Sequence, residues 1–402
     1  MHAYNDSVER FIPFETYLSI QETDNTLETD QGPITLRRWP LAENDLLRAW
    51  DAADDYLLEH IAQNLPDAGS YTGSVVMLND AQGALATALN RFNPISWSDS
   101  YLSHHSAEEN VRANNCENPL RTCTSVQTPD EPIDLLLIRI PKTTALLEDQ
   151  LARIRPYLHE GTQVVAAGMI KHLQKSAFSC LEKYIGPLTT SLGKKKARLL
   201  FPVVDMTLKV RTSPYPSVFE DEDLAHPVLN HANVFSREQL DHGARFLVEQ
   251  YHFLSEAEHV VDLACGNGVL GLQYLNRFPG AEVSFMDESY SAVESARLNH
   301  EAWFNDKPTS AKFVVADGLE STEAESVDLI LCNPPFHQQH VIGDQVALGL
   351  FTDAKRCLRQ GGALWIVANQ HLSYSGKLKR LFGNCRMVAS NKKFAVFKVV
   401  KR

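Results

Sequence analysis

Four things are missing from this 402-residue sequence, and each narrows what it can be. No apolar run approaches the roughly 20 residues a helix needs to cross a bilayer. The first residues, MHAYNDSVERFIPFE, lack a basic stretch leading into an apolar core, so a cytoplasmic protein with no membrane partner is expected. The seven cysteines (Cys116, Cys123, Cys180, Cys265, Cys332, Cys357, Cys385) form no CxxC pair and no zinc spacing. That argues against a disulfide framework or a structural metal and for reduced, buried thiols. An overall positive charge is missing too. The formal net charge is −12, which excludes a uniformly basic nucleic-acid binder.

What is present is an ordinary globular composition, 44% hydrophobic and 22% charged, in a chain long enough for two domains. Its charge is unevenly placed. Residues 373–402 carry nine Lys or Arg and no acid, and residues 171–200 carry seven against one, leaving 22 basic and 49 acidic residues in the other 342. Phosphate binding depends on local charge, so two basic islands on an acidic body read either as a nucleic-acid footprint or as solvated, lysine-protected sheet edges.

His259–Gly271, HVVDLACGNGVLG, reads as a strand ending in Asp262, a glycine turn and a helix. Gly266, Gly268 and Gly271 fit the dinucleotide fingerprint, with Asp287 at a suitable distance, so the loop alone fits either NAD or S-adenosylmethionine. Its neighbours favour S-adenosylmethionine. Asp262 is acidic where a pyrophosphate would approach, yet suits the ammonium end of a methionine. Asp287, ending a second strand, suits two ribose hydroxyls, and Asp317 in VVADG suits an adenine amine. As an alternative, Asp287 and Asp317 each serve as a helix N-cap.

Val327–Phe336, VDLILCNPPF, is an apolar strand stopped by two prolines, which cannot continue a ladder. Its carboxyl end is where open α/β sheets bind ligands. The Asn333 amide oxygen and the Pro334 carbonyl offer two acceptors to the hydrogens of an exocyclic amine, with Phe336 stacking on the ring. That arrangement suits amine methylation. In the following HQQH, His337 could shape the substrate side; His337 and His340 have no carboxylate or cysteine arranged with them, so no metal is expected.

The chain repeats itself. SVVMLNDAQGALATAL (74–89) matches HVVDLACGNGVLGLQYL, with Val75 and Val76 on Val260 and Val261 and Gly83 on Gly268. ISWSDSY puts Asp99 on Asp287, IDLLLIRIPK falls on VDLILCNPPF, LHEGTQVVAAG on LRQGGALWIVAN, and GKKKARLL on NKKFAVFK. One doubly wound α/β domain, with a seven-stranded and mostly parallel sheet, is thus duplicated. The first copy has Met77 for Asp262, Ala81 for Gly266, Ala86 for Gly271 and Arg139-Ile140-Pro141-Lys142 for NPPF, so it should fold without catalysing. Arg139 and Lys142 suit phosphate contacts or a merely charged surface. Both basic islands fall on the last hairpin of their copies, which points to Lys194, Lys195, Lys196, Lys392 and Lys393 as RNA or DNA contacts tracking the backbone.

Residues 45–64 show helical spacing, Ile34–Trp39 an edge strand, and the proline-rich 202–232 a linker pairing through PVVDMTLKV. Ser236 with Gln239 three residues on forms a capping box for a helix over about 237–249, setting Asn233, Phe235 and Ser236 near the cofactor.

Taken together, NHANVFSREQLDHGARF, VVDLACGNGVLG, LCNPPFHQQH, IVANQHLSY and the degenerate IRIPKTTALLEDQL closely resemble bacterial ribosomal RNA guanine-N2 methyltransferases of the RsmC/RlmG family, over nearly the whole chain. The large-subunit (23S) type is nearest, with the small-subunit type behind it. The resemblance implies two tandem Rossmann-like class I methyltransferase domains: a degenerate 1–201, a linker 202–232 and a catalytic 233–402. It implies S-adenosylmethionine as methyl donor, 23S ribosomal RNA, free or in a particle, as partner, and a monomer. By position, Asn333, Pro334 and Phe336 take the catalytic role. Asp262, Gly266, Gly268, Asp287 and Asp317 take the cofactor role, with Cys265 and Ser236 beside them. Other planar amines (16S rRNA guanine N2, adenine N6, a protein glutamine amide) and a non-catalytic RNA-binding role remain as alternatives.

Overall fold

In the computed structural model the described residues are 25–41, 47–65, 71–305, 307–334, 340–370, 372 and 374–402, without the side chains of 340–345. The first copy opens with a hairpin, β1 (Thr26–Thr29) and β2 (Gly32–Thr35), then helix α1 (Ala52–Asn64). Strands β3 (Val75–Leu78), β4 (Ile95–Ser98), β5 (Arg121–Thr124), β6 (Ile133–Arg139), β7 (Leu158–Met169), β8 (Leu188–Thr190) and β9 (Ala197–Pro202) form one sheet in the order β5-β4-β3-β6-β7-β9-β8. The first five are parallel, and β9 runs antiparallel to both β7 and β8. Helices α2 (Ala84–Ala88), α3 (Tyr101–Ala113), α4 (Thr144–Ile154) and α5 (Lys175–Tyr184) connect them.

After a second hairpin, β10 (Ser217–Phe219) and β11 (Val228–Asn230), and helix α6 (His242–Val248), the pattern returns. Strands β12 (His259–Leu263), β13 (Glu282–Asp287), β14 (Ser310–Val315), β15 (Val327–Cys332), β16 (Leu358–Asn369), β17 (Arg386–Ser390) and β18 (Phe394–Val400) order as β14-β13-β12-β15-β16-β18-β17, the same arrangement. Their helices are α7 (Val269–Arg277), α8 (Tyr290–Phe304), α9 (His340–Cys357) and α10 (Tyr374–Phe382). The central strands are apolar on both sides because helices cover both faces. Tyr274, Phe285 and Trp365 pack on one face of the second sheet, Cys332, Phe351 and Tyr374 on the other.

The duplication extends further than the apolar pattern shows. Asn110 in α3 bonds the Arg37 amide and carbonyl and the Gln82 carbonyl; Asn299 in α8 does the same with Leu229 and Asn267. The hairpin inside residues 202–232 is therefore to the second copy what β1–β2 is to the first. Its acidic run docks as well: Asp221 and Asp223 pair with Arg245 of α6.

Four local expectations need correction. Helix α1 begins at Ala52, not Asp45, because Asp51 accepts the Ala53 amide at 2.7 Å while Asp54 accepts that of Asp51 at 2.9 Å, a capping box that fixes the start. The edge strand expected over Ile34–Trp39 is β2, which begins at Gly32 and ends at Thr35. Past Pro202, PVVDMTLKV forms no strand; the linker pairs at β10 and β11 instead. The hairpin ladders pair Ala197 with Met169 and Phe394 with Asn369, so Ala197 is the counterpart of Phe394, one residue off the match drawn from the lysines.

Candidate functional site

In the second sheet β12 and β15 lie side by side, and the helices after them leave from opposite faces, opening a crevice at their carboxyl ends. The glycine turn after β12 forms one wall. Ala264, Gly266 and Gly268 have φ of 56°, 54° and 83°, a run of left-handed residues that folds the turn back on itself. A Cβ on Gly268 would sit 2.9 Å from that of Ala296, so that glycine is packed; one on Gly266 would meet nothing within 4 Å, so that side lies open to a ligand.

Asp262 braces this turn. It is fully buried, one oxygen accepts the Gly271 amide at 2.8 Å, and the other has no partner. Burial pushes its carboxyl up to about 8, with the Asp287 charge adding to the effect and the Gly271 amide opposing it. An ammonium outside the turn would act on Asp262 through its field and not by touching it. Asp287 at the end of β13 accepts from the Gly266 amide (3.0 Å) and the Ser289 amide (3.0 Å), and burial raises its pKa. Asp317 follows β14, its pKa raised by burial and then by Glu320 and Asp353. Cys265 is buried with its thiol pushed well up, so it packs and does not react.

On the other wall stands Asn333, just past β15. Its Nδ2 donates to Asp241 at 3.0 Å, which leaves the Oδ1 without a partner, and Pro334 beside it is buried. Asp241 was not singled out from the sequence. It caps α6, accepting the Ala244 amide at 2.8 Å, and so grips helix and Asn333 together. A Cβ on Gly243 would lie 2.9 Å from the Asp241 carboxylate and 3.3 Å from the free Asn333 oxygen, so its absence keeps that oxygen clear. The available signal was DHGA directly before an apolar run, an N-cap pattern.

The capping box expected at Ser236 is not formed. Ser236 has φ 54° in a turn and donates to the Gln239 carbonyl (2.8 Å), while Asp241 takes the cap five residues later. Asn233 bonds the first copy, through Thr143 (2.8 Å) and Asp99 (2.7 Å). Phe336 and His337 lie outside the described residues, as does the side chain of His340. Among the described residues no three His, Cys, Asp or Glu are grouped to hold a metal ion, and no helix is long and apolar enough to cross a membrane.

The basic islands differ. Lys194 pairs with Glu59 and Lys195 with Asp55 (2.8 Å) on α1, while Lys196 is exposed. Lys392 and Lys393 line a cleft of about 600 Å³ with Asn369 and Gln370, at the end of the strand beside β15. Arg139 is not offered to phosphate: it lies 3.0 Å from both Asp51 and Asp54.

Residues 24–206 match the RLMG N-terminal domain model and residues 225–398 the Methyltransferase small domain model. A ribosomal RNA large subunit methyltransferase G of Streptomyces avermitilis is 45% identical over 385 residues, covering 94% of this chain and 100% of the relative. One of Aeromonas salmonicida is 43% identical over 377 residues, covering 94% and 99%. Among solved structures, a T. thermophilus 16S rRNA guanine-N2 methyltransferase (RsmC) in complex with AdoMet and guanosine superposes with TM-score 0.72 at 20% identity, covering 94% of this chain and 97% of that one, which supports the tandem fold.

Proposed function

We propose that this chain, which belongs to the ribosomal RNA large subunit methyltransferase G family, transfers a methyl group from S-adenosylmethionine to the exocyclic N2 of a guanine in 23S rRNA, and that the second copy does so. The observation that carries the reading is the buried Asn333 oxygen left without a partner while its amide nitrogen is tied to Asp241. A buried acceptor unmet by the protein calls for a partner from outside, water or ligand, and this one stands at the carboxyl end of β15, where open α/β sheets bind ligands. It selects a donor such as an amine, and with the Pro334 carbonyl it would take both amine hydrogens and turn the nitrogen lone pair toward the glycine turn.

The residues across the crevice fit the methyl donor. Gly266 leaves open space, Asp287 presents a carboxylate aimed by two backbone amides, and Asp262 is a buried acid that a nearby cation would ionise. Bound there, S-adenosylmethionine supplies a methyl already activated on a sulfonium. The chain then has to orient the amine rather than activate it, and one amine proton passes to water after transfer. Lys392 and Lys393, on the cleft beside the Asn333 strand, suit the RNA backbone; the first-copy lysines, two of them already paired, suit it less.

Mass mapping of rRNA nucleosides from cells lacking the protein, then of the same RNA treated with protein and S-adenosylmethionine, tests the reading. An N2-methylguanine in 23S rRNA should disappear in the first sample and return in the second. Methyl groups returning only to adenine, only to 16S rRNA or to no RNA would contradict it.

A further inference from the structure

The loops that follow the second strand of each copy meet face to face. Tyr101 N–H donates to the Glu288 carbonyl (2.9 Å) and Tyr290 N–H to that of Asp99 (3.0 Å), closing a short antiparallel bridge between Ser100 and Ser289. Ser100 Oγ donates to the Glu288 carboxylate at 2.6 Å. At the centre is Asp99, the counterpart of Asp287 and only 4% exposed. One of its oxygens accepts from the Ser291 amide (2.8 Å) and the Ser125 hydroxyl; the other accepts from Ser289 Oγ (2.7 Å) and Asn233 Nδ2 (2.7 Å). Three of these four donors belong to the second copy, and two flank the start of α8.

Ser289 is the link to the cofactor side. Its hydroxyl is held by Asp99, and its own N–H holds one oxygen of Asp287, whose other oxygen is held by Gly266. The direction in which Asp287 points is thus set by the glycine turn on one side and by the first copy on the other. We propose that Asp99 is a positioning residue for the methyl donor, a carboxylate of the degenerate copy that aims Asp287 at the ribose hydroxyls. This rests on the reading that Asp287 holds the ribose. It gives the first copy a part in the site without a catalytic group of its own.

The test uses the full chain and calorimetric titration with S-adenosylhomocysteine and its 2′,3′-dideoxy analogue. The wild type should prefer the hydroxyl-bearing ligand. In Asp99→Asn, which keeps the shape but loses the charge, that preference should shrink by about tenfold, the size of a lost charge-assisted hydrogen bond, while the dideoxy analogue binds nearly as before. Weakening of both ligands by the same factor marks a merely structural role and overturns the proposal, as does an unchanged preference. If Asp99→Asn does not fold, Ser289→Ala removes the linking hydroxyl, and with it the cap on the Ala292 amide, and should shrink the preference by about threefold; an unchanged preference there overturns the proposal equally. A wild type without preference overturns the ribose reading, and the proposal with it.

Discussion

Asn333 and Arg139 stand just beyond and at the end of the same strand in two copies of one fold, and each is gripped by the carboxylate that caps the helix entering its sheet, Asp241 in one and Asp51 in the other. The grip is common; what is left over differs. An amide spends its nitrogen on the carboxylate and keeps an oxygen free, whereas a guanidinium has no acceptor to keep. Arg139 also takes in Asp54, so the first crevice holds an ion-pair cluster whose one unmet group is a donor, the buried Arg139 Nη1, where the second presents an unmet acceptor. The turns differ in the same way. Asp80 accepts the Gly83 and Ala86 amides as Asp262 accepts that of Gly271, so the bracing carboxylate persists, moved three residues along. The loss is in shape: the first turn has left-handed residues at Asn79 and Gly83, but none where Gly266 stands in the second. The two copies share the bracing and differ in the atoms they present to the crevice.

The largest expected effect separates the copies most sharply. Asn333→Ala should slow methyl transfer by roughly two to four powers of ten while RNA affinity holds within a few-fold, as expected when orientation is lost. Arg139→Ala should do the reverse. It leaves Asp54 buried and uncompensated, lowering stability by about 3 kcal/mol in urea denaturation, with the single-turnover rate of the folded protein unchanged at saturating RNA.

Next in size is the grip. Asp241→Ala frees the Asn333 amide to turn and should cost about tenfold to a hundredfold in turnover. Gly243→Ala should also slow turnover although alanine favours the helix, because its Cβ would crowd the Asn333 oxygen. If both variants turn over at the parent rate, the orientation of Asn333 is not what matters.

A smaller effect depends on pH. The Asp262 carboxyl, raised from the ordinary carboxylate range to about 8, favours the folded state while protonated, a contribution present below about pH 4 and lost as pH rises through 8. A cationic ligand favours the ionised form. S-adenosylmethionine binding should therefore release a proton below pH 8 and weaken as pH falls from 8 toward 6, by up to about tenfold per unit. Titrations in buffers of different ionisation enthalpy read the proton directly. Smallest is the salt effect: Lys392→Ala with Lys393→Ala should flatten the salt dependence of RNA binding by about one counterion per lost phosphate contact, more than changes at Lys194 and Lys195, whose charge Glu59 and Asp55 already offset.

The duplication, the seven-stranded and mostly parallel sheet and the residues at the strand ends were legible because they lie in the apolar pattern and in rare punctuation: Gly268, Asp262, and the prolines after Cys332; the order of the strands was not read from it. Asp241 was not legible, because an aspartate before a helix is ordinary and only the fold brings it to Asn333, 92 positions away. Asp80 escaped for a related reason. Aligned by residue, it falls on Cys265, and only the amide it accepts shows that it does the work of Asp262. The pairing of Arg139 and of Lys194 and Lys195 was hidden likewise, since their partners lie on α1, far off in sequence. Asp99 kept its residue type while changing its partners.

That one fold occurs twice and one working site occurs once is tested most directly by calorimetric stoichiometry. S-adenosylmethionine should bind the full chain once. Gly266→Val, which fills the open side of the second turn and cannot easily hold its left-handed backbone, should abolish that binding, whereas Ala81→Val at the matching place in the first copy should leave it intact. Two molecules bound per chain, or binding that survives Gly266→Val and is lost with Ala81→Val, would contradict the account.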